Sequence, residues 1–247
     1  KIALVTGSLP YSTVISNAIR ETAPKFGFEV SFEEIVPVPT TEWGAVLNKV
    51  RADNPAVIAN THFFPADLAQ FQKQFAENPT NSLVYMQYGP LLKAFSDIAG
   101  EAARGVMSSS VIGILPDELG NEFREAYWAK YGETAEADPG ASTYSEMYHY
   151  AIAAAMAGGT GEPGNYEQNR KIADNLRRFS FRAPFGTLRY AKEFNAALPY
   201  PTVSPDASLA MPHLLYQIKD PAAAVPKKLI FPEPYNEAEF EVPPWFK

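Results

Sequence analysis

Short apolar runs alternate with segments of helical periodicity through the first 110 residues, and this alternation constrains the fold more than any other feature. The apolar runs predict strands at 1–6, 28–36, 56–60, 83–87 and 105–112. The intervening periodic segments predict helices over 11–23 and 42–51, from Pro65 to Phe75, and through Leu92, Phe95 and Ile98. Such alternation is typical of parallel strands joined by right-handed helical crossovers, so we predict an α/β fold with an open parallel sheet and flanking helices.

The second half of the chain has a different pattern. Helices are predicted over 117–131, 142–159 and 166–178, with Ser142 or Ser145 as a possible cap of the second. Strand signals return at 187–191, 214–219 and 228–231. The Pro-rich tail after 231 is expected to run extended over a surface of the protein.

Composition excludes several classes of protein. The net charge is −7 and the basic residues are scattered, which argues against nucleic acid and anionic membranes as partners. No apolar run approaches the ~18 residues of a membrane-spanning helix. The absence of cysteine excludes thiol catalysis, disulfides and Cys-based metal sites.

Catalytic and cofactor motifs are missing from the sequence. No GxGxxG follows the first strand, no Walker or GxSxG motif occurs, and the serines at 108–110 have no evident general base. The three histidines lack metal-ligand spacing, and His149 and His213 are interpreted as structural. We therefore predict no enzyme activity, no cofactor and no metal.

The candidate binding residues follow the predicted strands, because ligands of open parallel sheets bind outside the carboxyl ends of the strands. The turns after strands one, three and four supply the candidates Ser8, Tyr11, His62, Phe63, Phe64, Gln87 and Tyr88. Two interpretations of Phe63 and Phe64 stay open. They either cover the sheet edge or form an aromatic platform in a ligand cleft.

The order of segments resembles the type I periplasmic solute-binding proteins of ABC transporters, in the branched-chain amino acid and amide/urea group. The resemblance is carried by the opening KIALVTGSLPYSTVISNAIRETAPKFGFEV, by IAGEAARGVMSSS, by FREAYWAKYGETAEADPGASTYSEMYHYAIAAAMAGG and by FGTLRY. It covers nearly the whole chain as a succession of segments, although no single motif is decisive.

The resemblance implies two α/β lobes that close on a ligand held in a cleft between them. It assigns residues 1–111 and 184–247 to lobe two and 112–183 to the helical remainder of lobe one. The chain would start where lobe two starts and lack most of lobe one. The segment 112–183 is then expected to expose apolar surface.

The resemblance also assigns roles to single residues. Tyr11 and either Phe63 or Phe64 match the family positions whose aromatic rings reach the ligand. Amino-acid-binding members carry an acidic residue after the fourth strand, where this sequence has Gln87 and Tyr88. This difference argues against an ordinary α-amino acid as the ligand.

The resemblance thus implies a periplasmic protein that binds a small solute, such as an amino acid, an amide or an aromatic or apolar organic acid, and passes it to an inner-membrane ABC permease. No nucleic acid and no direct membrane insertion are expected. A ligand-sensing regulator of the same fold and a small-molecule α/β enzyme are the alternatives.

Overall fold

The computed structural model of the protein describes residues 1–133, 135–191 and 195–247. The strands in these residues are Ile2–Gly7 (β1), Val30–Val36 (β2), Val57–Asn60 (β3), Leu83–Met86 (β4), Met107–Ser110 (β5), Phe181–Ala183 (β6), Gly186–Leu188 (β7), Pro199–Tyr200 (β8), Met211–Pro212 (β9), Leu214–Ile218 (β10) and Lys227–Phe231 (β11). The α-helices are Pro10–Thr22 (α1), Gly44–Asp53 (α2), Pro65–Glu77 (α3), Lys93–Ala99 (α4), Glu118–Tyr131 (α5), Ala137–Met156 (α6) and Tyr166–Leu176 (α7).

Two compact units make up the described chain. Unit 1 consists of Lys1–Ser110, Leu215–Ile230 and Glu237–Lys247. Unit 2 consists of Val111–Leu214 and Phe231–Asn236. The sequence analysis grouped residues 184–214 with lobe two, but they belong to unit 2. The reason is packing: Phe185 and Leu188 share one apolar cluster with Ile114 and Ala141. The assignment of lobes itself stays a prediction.

A seven-stranded sheet with the order β11-β10-β5-β4-β3-β1-β2 organises unit 1. β1 pairs in parallel with both β2 and β3, and the parallel pairing continues from β3 to β4 and from β4 to β5. All six residues of β1 are buried, as expected for a central strand whose two faces are both covered. The predicted α/β fold with a mostly parallel sheet and flanking helices is confirmed.

The largest apolar cluster of unit 1 lies between the sheet and the helices α2, α3 and α4. Its centre contains the fully buried rings of Trp43, Phe71, Phe75 and Phe95. The C-terminal tail adds Trp245, whose ring lies edge-on to Phe75 with 5.6 Å between centroids. Burial of each ring stabilises the fold by roughly 2–3 kcal/mol. The last part of the tail, Glu237–Lys247, thus belongs to unit 1, whereas Phe231–Asn236 belongs to unit 2 and contains a short helical turn at Glu233–Tyr235.

Helices α5, α6 and α7 dominate unit 2, and short strand pairs β6–β7 and β8–β9 accompany them. Helix α6 leaves several large apolar side chains exposed, namely Tyr144, Met147, Tyr148, Ile152 and Met156. The expected exposure of apolar surface between 112 and 183 is confirmed.

The start of α6 differs from the sequence prediction. The helix begins at Ala137, five residues before the predicted 142. Pro139 lies in its first turn, where a missing N–H costs no helical hydrogen bond. Ser142 and Ser145 are therefore inside the helix, and the prediction that one of them caps it is wrong.

His149 is a packing residue of α6, as the sequence analysis expected. The side chain is 2% exposed. Its ring is parallel to the rings of Phe181 and Tyr190, at centroid distances of 5.1 and 5.8 Å, and edge-on to Phe179 at 4.9 Å. Burial among these rings lowers the pKa of His149 below its ordinary value.

We predict that unit 2 loses stability in mild acid through His149. Its folded pKa lies below the unfolded value of about 6.5, so the unfolded chain binds the proton more readily. The stabilisation is therefore complete above pH 6.5 and is lost as the pH falls below it. The melting temperature, followed by near-UV circular dichroism, should fall between pH 7 and pH 5.

The variant His149→Gln provides the control, because glutamine does not titrate in this range. Burial also lowers the pKa of His62 and His213, so part of the pH dependence should persist in the variant. A pH dependence as steep in His149→Gln as in the wild type would contradict the prediction.

Candidate functional site

The carboxyl ends of β1, β3, β4 and β5 meet at one edge of the unit 1 sheet. Their parallel pairing aligns Val5 with Asn60, Asn60 with Met86, and Tyr85 with Met107. The turns that follow these strands therefore leave the sheet side by side. This edge is where open parallel sheets bind ligands.

Four aromatic residues at this edge form the ring group, which we define as Tyr11, Phe63, Phe64 and Tyr88. The rings of Phe63 and Tyr88 are stacked, with an interplanar angle of 3° and 4.9 Å between centroids. Tyr11 and Phe64 lie edge-on to Phe63, at 5.3 and 5.5 Å. Phe63 is thus the centre of the group and touches all three other rings.

The ring group is not part of the apolar core. Tyr11 is 44% exposed and Phe64 is 42% exposed, while Phe63 and Tyr88 are half-buried. Core aromatics of the same unit, such as Phe75, are fully covered. The structure therefore leaves ring surface available at the edge of the sheet.

Tyr88 adopts a strained backbone conformation. Its φ of 62° and ψ of −56° place it in the γ-turn with positive φ, which is rare and strained, and the Gly89 amide closes the turn by donating to the Gln87 carbonyl at 2.7 Å. A Cβ on Gly89 would lie 2.5 Å from Leu68 Cδ1 and 3.2 Å from Pro65 Cα. The turn is thus pressed against the start of α3, which directs the Tyr88 ring onto Phe63.

A chain of four hydrogen-bonding side chains runs beside the ring group, and we call it the polar chain. It consists of Tyr11, Gln87, Tyr85 and Ser109. Gln87 Nε2 donates to Tyr11 Oη at 3.2 Å, Tyr85 Oη donates to Gln87 Oε1, and Tyr85 Oη lies 2.6 Å from Ser109 Oγ. Burial raises the pKa of Tyr85, so its hydroxyl stays protonated at neutral pH. Tyr11 belongs to both groups and joins them.

His62 lies beneath the ring group. Its side chain is fully buried, with Nδ1 accepting from the Phe64 amide at 3.4 Å and the ring edge-on to Trp43 at 5.7 Å. Its Nε2 lies 3.3 Å from Asp67 Oδ2. Burial lowers the pKa of His62, and the charge of Asp67 opposes that shift. The imidazole therefore supports the turn that carries Phe63 and Phe64, whereas the sequence analysis expected it to line the cleft.

Ser8 stands apart from the other candidates. Its side chain is exposed, and its amide donates to the Val36 carbonyl at 2.9 Å. Within the described residues no ring contact or side-chain hydrogen bond joins it to the ring group or the polar chain. The structure thus brings Tyr11, Phe63, Phe64, Gln87 and Tyr88 together, with His62 below them and Ser8 to one side.

The sequence analysis missed a buried hydroxyl cluster under α1. Ser16 Oγ lies 2.7 Å from both Thr6 Oγ1 and Thr61 Oγ1. Ser12, one turn earlier in the helix, is also fully buried. The spacing of the two serines at i and i+4 was the available signal, because it places both on one face of the helix.

Tyr85 was also missed as part of the site, because it is a member of a strand rather than of a turn. Ser109 belongs to the serines at 108–110, which the sequence placed at this edge of the sheet without making any of them a binding candidate. The position of Tyr85 relative to the candidate Gln87 was the available signal. Tyr85 lies two residues before Gln87, so both side chains can project from the same face of the sheet.

Metal binding and membrane insertion find no support in the described residues. Among residues 1–133, 135–191 and 195–247, no group of three or more histidine, aspartate or glutamate side chains is placed to hold a metal ion. None of the described helices is long and apolar enough to cross a membrane.

Comparison with known proteins gives a family match over most of the chain. The family described as periplasmic binding protein matches residues 1–200. A crystal structure from Silicibacter pomeroyi, of a protein provisionally described as a branched-chain amino acid ABC transporter, is 49% identical with a TM-score of 0.92, over 99% of this chain and 61% of that one. No match was found among curated proteins.

More distant structures share the fold. An extracellular ligand-binding receptor from Rhodopseudomonas palustris HaA2 is 21% identical with a TM-score of 0.74, over 93% of this chain and 63% of that one. A leucine binding protein from Thermotoga maritima is 18% identical with a TM-score of 0.72, over 92% of this chain and 59% of that one. The chain therefore spans about three fifths of the length of these solved structures.

We predict that Tyr88→Gly unfolds at a higher urea concentration than Tyr88→Ala. Both variants lose the ring, but only glycine relieves the positive φ, which costs of order 1–3 kcal/mol in other residues. The Gly variant should be more stable by about 1 kcal/mol, as measured by equilibrium urea unfolding.

The matched control is the same pair of substitutions at Lys73, an exposed position inside α3. There the order should reverse, with Ala more stable by about 1 kcal/mol. An Ala variant at position 88 that equals or exceeds the Gly variant would show that the turn is not strained.

Proposed function

The chain belongs to the periplasmic binding protein family, and on that premise we propose that the complete protein is a non-enzymatic solute-binding subunit. It binds a small molecule in the periplasm and delivers it to the inner-membrane permease of an ABC transporter. Membership of a family of solute-binding proteins supports the binding role. The periplasmic location, the permease and the transport step are carried over from relatives whose length this chain spans in part.

The ring group is the observation that carries the proposal. Exposed aromatic surface next to a few oriented polar groups is typical of small-molecule sites, in which apolar contact supplies affinity and polar contacts fix orientation. The position at the carboxyl edge of a parallel sheet supports the same conclusion. The alternative, in which Phe63 and Phe64 only cover the sheet edge, does not explain the partial exposure of all four rings.

The proposed ligand is a small solute with an apolar or flat portion that stacks on the ring group. We retain residues 1–111 as the first part of the ligand-binding lobe, because every candidate ligand contact lies there. An ordinary α-amino acid is disfavoured, since Gln87 takes the place of the acidic residue that would pair with its ammonium group. A buried ammonium group without a partner costs several kcal/mol.

Mass spectrometry of the purified full-length protein provides the test of function. The expected result is a bound small molecule that is released on denaturation and recovered chemically unchanged after prolonged incubation with the native protein. Conversion of that molecule by the protein would overturn the binding-only function and favour the enzyme alternative.

We predict that Phe63→Ala weakens binding of the co-purifying molecule by roughly 1–3 kcal/mol, the scale of an aromatic anchor. Phe63 is half-buried and lies outside the buried apolar clusters, and its ring contacts are with Tyr11, Phe64 and Tyr88, so we expect its loss to leave no closed core cavity. The melting temperature of the free protein should hardly change. Isothermal titration calorimetry and thermal unfolding measure the two effects.

Phe75→Ala is the matched control, since Phe75 is fully buried in the core of the same unit. This change should cost about 3–5 kcal/mol of stability, as large-to-small core substitutions do. If Phe63→Ala instead lowered stability as much as Phe75→Ala and left affinity unchanged, Phe63 would be a cover for the sheet edge.

A further inference from the structure

We infer that Tyr85 and Ser109 fix the orientation of the Gln87 carboxamide, so that the site presents the free N–H of Gln87 beside the Tyr11 hydroxyl and selects a ligand with a carboxylate or carbonyl oxygen. The inference rests on the proposed solute-binding function and names the ligand class of the same site. Tyr85 and Ser109 are positioning residues in this arrangement. Gln87 and Tyr11 are the groups that meet the ligand.

The direction of the polar chain follows from counting protons. Tyr85 Oη carries one proton, and it donates that proton to Gln87 Oε1. The contact of 2.6 Å between Tyr85 Oη and Ser109 Oγ must then use the proton of Ser109. Gln87 Nε2 in turn donates to Tyr11 Oη at 3.2 Å. The chain therefore runs from Ser109 through Tyr85 and Gln87 to Tyr11.

This direction decides which groups remain free. Gln87 Nε2 has a second N–H, and the hydroxyl proton of Tyr11 is not used by the chain. Both free groups are donors. Gln87 Oε1 and Tyr11 Oη each already accept one hydrogen bond within the chain. A ligand that meets this end of the chain is therefore bound best through an acceptor.

The charge of the polar chain favours the same class of ligand. None of its four members is acidic, and within the described residues none of their side-chain hydrogen bonds goes to a carboxylate. An ammonium group has three donors and no acceptor, so it would face donors without a counter-charge. A carboxylate or an amide oxygen would instead accept directly from Gln87 and Tyr11.

The ring group constrains the apolar portion of the ligand. Tyr11 Oη ends the polar chain, and the Tyr11 ring lies edge-on to Phe63 at 5.3 Å. An acceptor at Tyr11 Oη thus stands beside the stacked rings of Phe63 and Tyr88. The geometry points to a compact acid or amide whose flat or apolar portion lies next to its oxygen.

The test uses the full-length protein, freed of bound molecules, and three matched probes. Phenylacetate and phenylacetamide carry an acceptor oxygen, and 2-phenylethylamine carries an ammonium group on a similar body. Isothermal titration calorimetry should show binding of both acceptor probes and an affinity for the amine that is at least about tenfold lower, the equivalent of one hydrogen bond.

The variants test the orientation of Gln87 through the affinity ratio between phenylacetate and 2-phenylethylamine. Tyr85→Phe keeps the ring but frees the carboxamide to turn, so the ratio should fall about tenfold. Ser109→Ala should lower it in the same direction by less. Gln87→Glu should reverse the preference, because it supplies the missing counter-charge. Tyr131→Phe, at an exposed tyrosine of unit 2, should leave the ratio unchanged.

Three results would overturn the inference. Tighter binding of the amine than of both acceptor probes would show that the chain runs in the opposite direction, while solute binding itself would stand. Equal losses for all probes in Tyr85→Phe would show a structural role alone. Failure of all three probes to bind would exclude the ligand class, whereas the proposed function is judged separately by the molecule that co-purifies.

Discussion

The parallel pairing of β1 with β2 on one side and β3 on the other is the constraint on which the site depends. β1 pairs with β2 from Ile2 to Gly7 and with β3 from Ile2 to Val5, and all six of its residues are buried. Parallel strands need crossover helices, so every turn at the carboxyl edge leads into a helix or a short helical turn. Tyr11 in α1 and Phe63 before α3 are thereby brought to 5.3 Å of one another from positions 52 residues apart.

Close packing under the site keeps these turns in place. A Cβ at Gly7 would lie 3.2 Å from both His62 Cδ2 and Ser12 Oγ, so α1 and the turn after β3 approach the end of β1 more closely than a larger residue would allow. Ser16 then bridges Thr6 and Thr61 by hydroxyl contacts of 2.7 Å. Small polar residues thus hold α1 against the sheet by hydrogen bonds, whereas the larger side chains of the ring group lie nearer the surface.

Periodicity in the sequence was sufficient to predict the sheet, its helices and the turns that carry Tyr11, Phe63 and Gln87. Periodicity did not predict the role of residues whose burial or conformation is decided by contacts with distant parts of the chain. Ser12 and Ser16 have the polarity of a solvated helix face, yet the tight approach at Gly7 buries them. The γ-turn at Tyr88 has no local signal, because tyrosine does not favour positive φ and the conformation is imposed by packing against α3.

In the proposed ligand site, the strain at Tyr88 and the order of the polar chain would both contribute to preorganisation. A turn that is over-determined by packing holds its ring in place before a ligand arrives, so less conformational entropy is lost on binding. The hydrogen bond between Tyr85 and Gln87 does the same for the carboxamide. The packing of Gly89 against α3 and the hydroxyl of Tyr85 both act from groups that the ligand need not touch. On this proposal, the affinity of the site would depend on rigid support from the strands and α3, while its selectivity would depend on the few polar atoms that remain free.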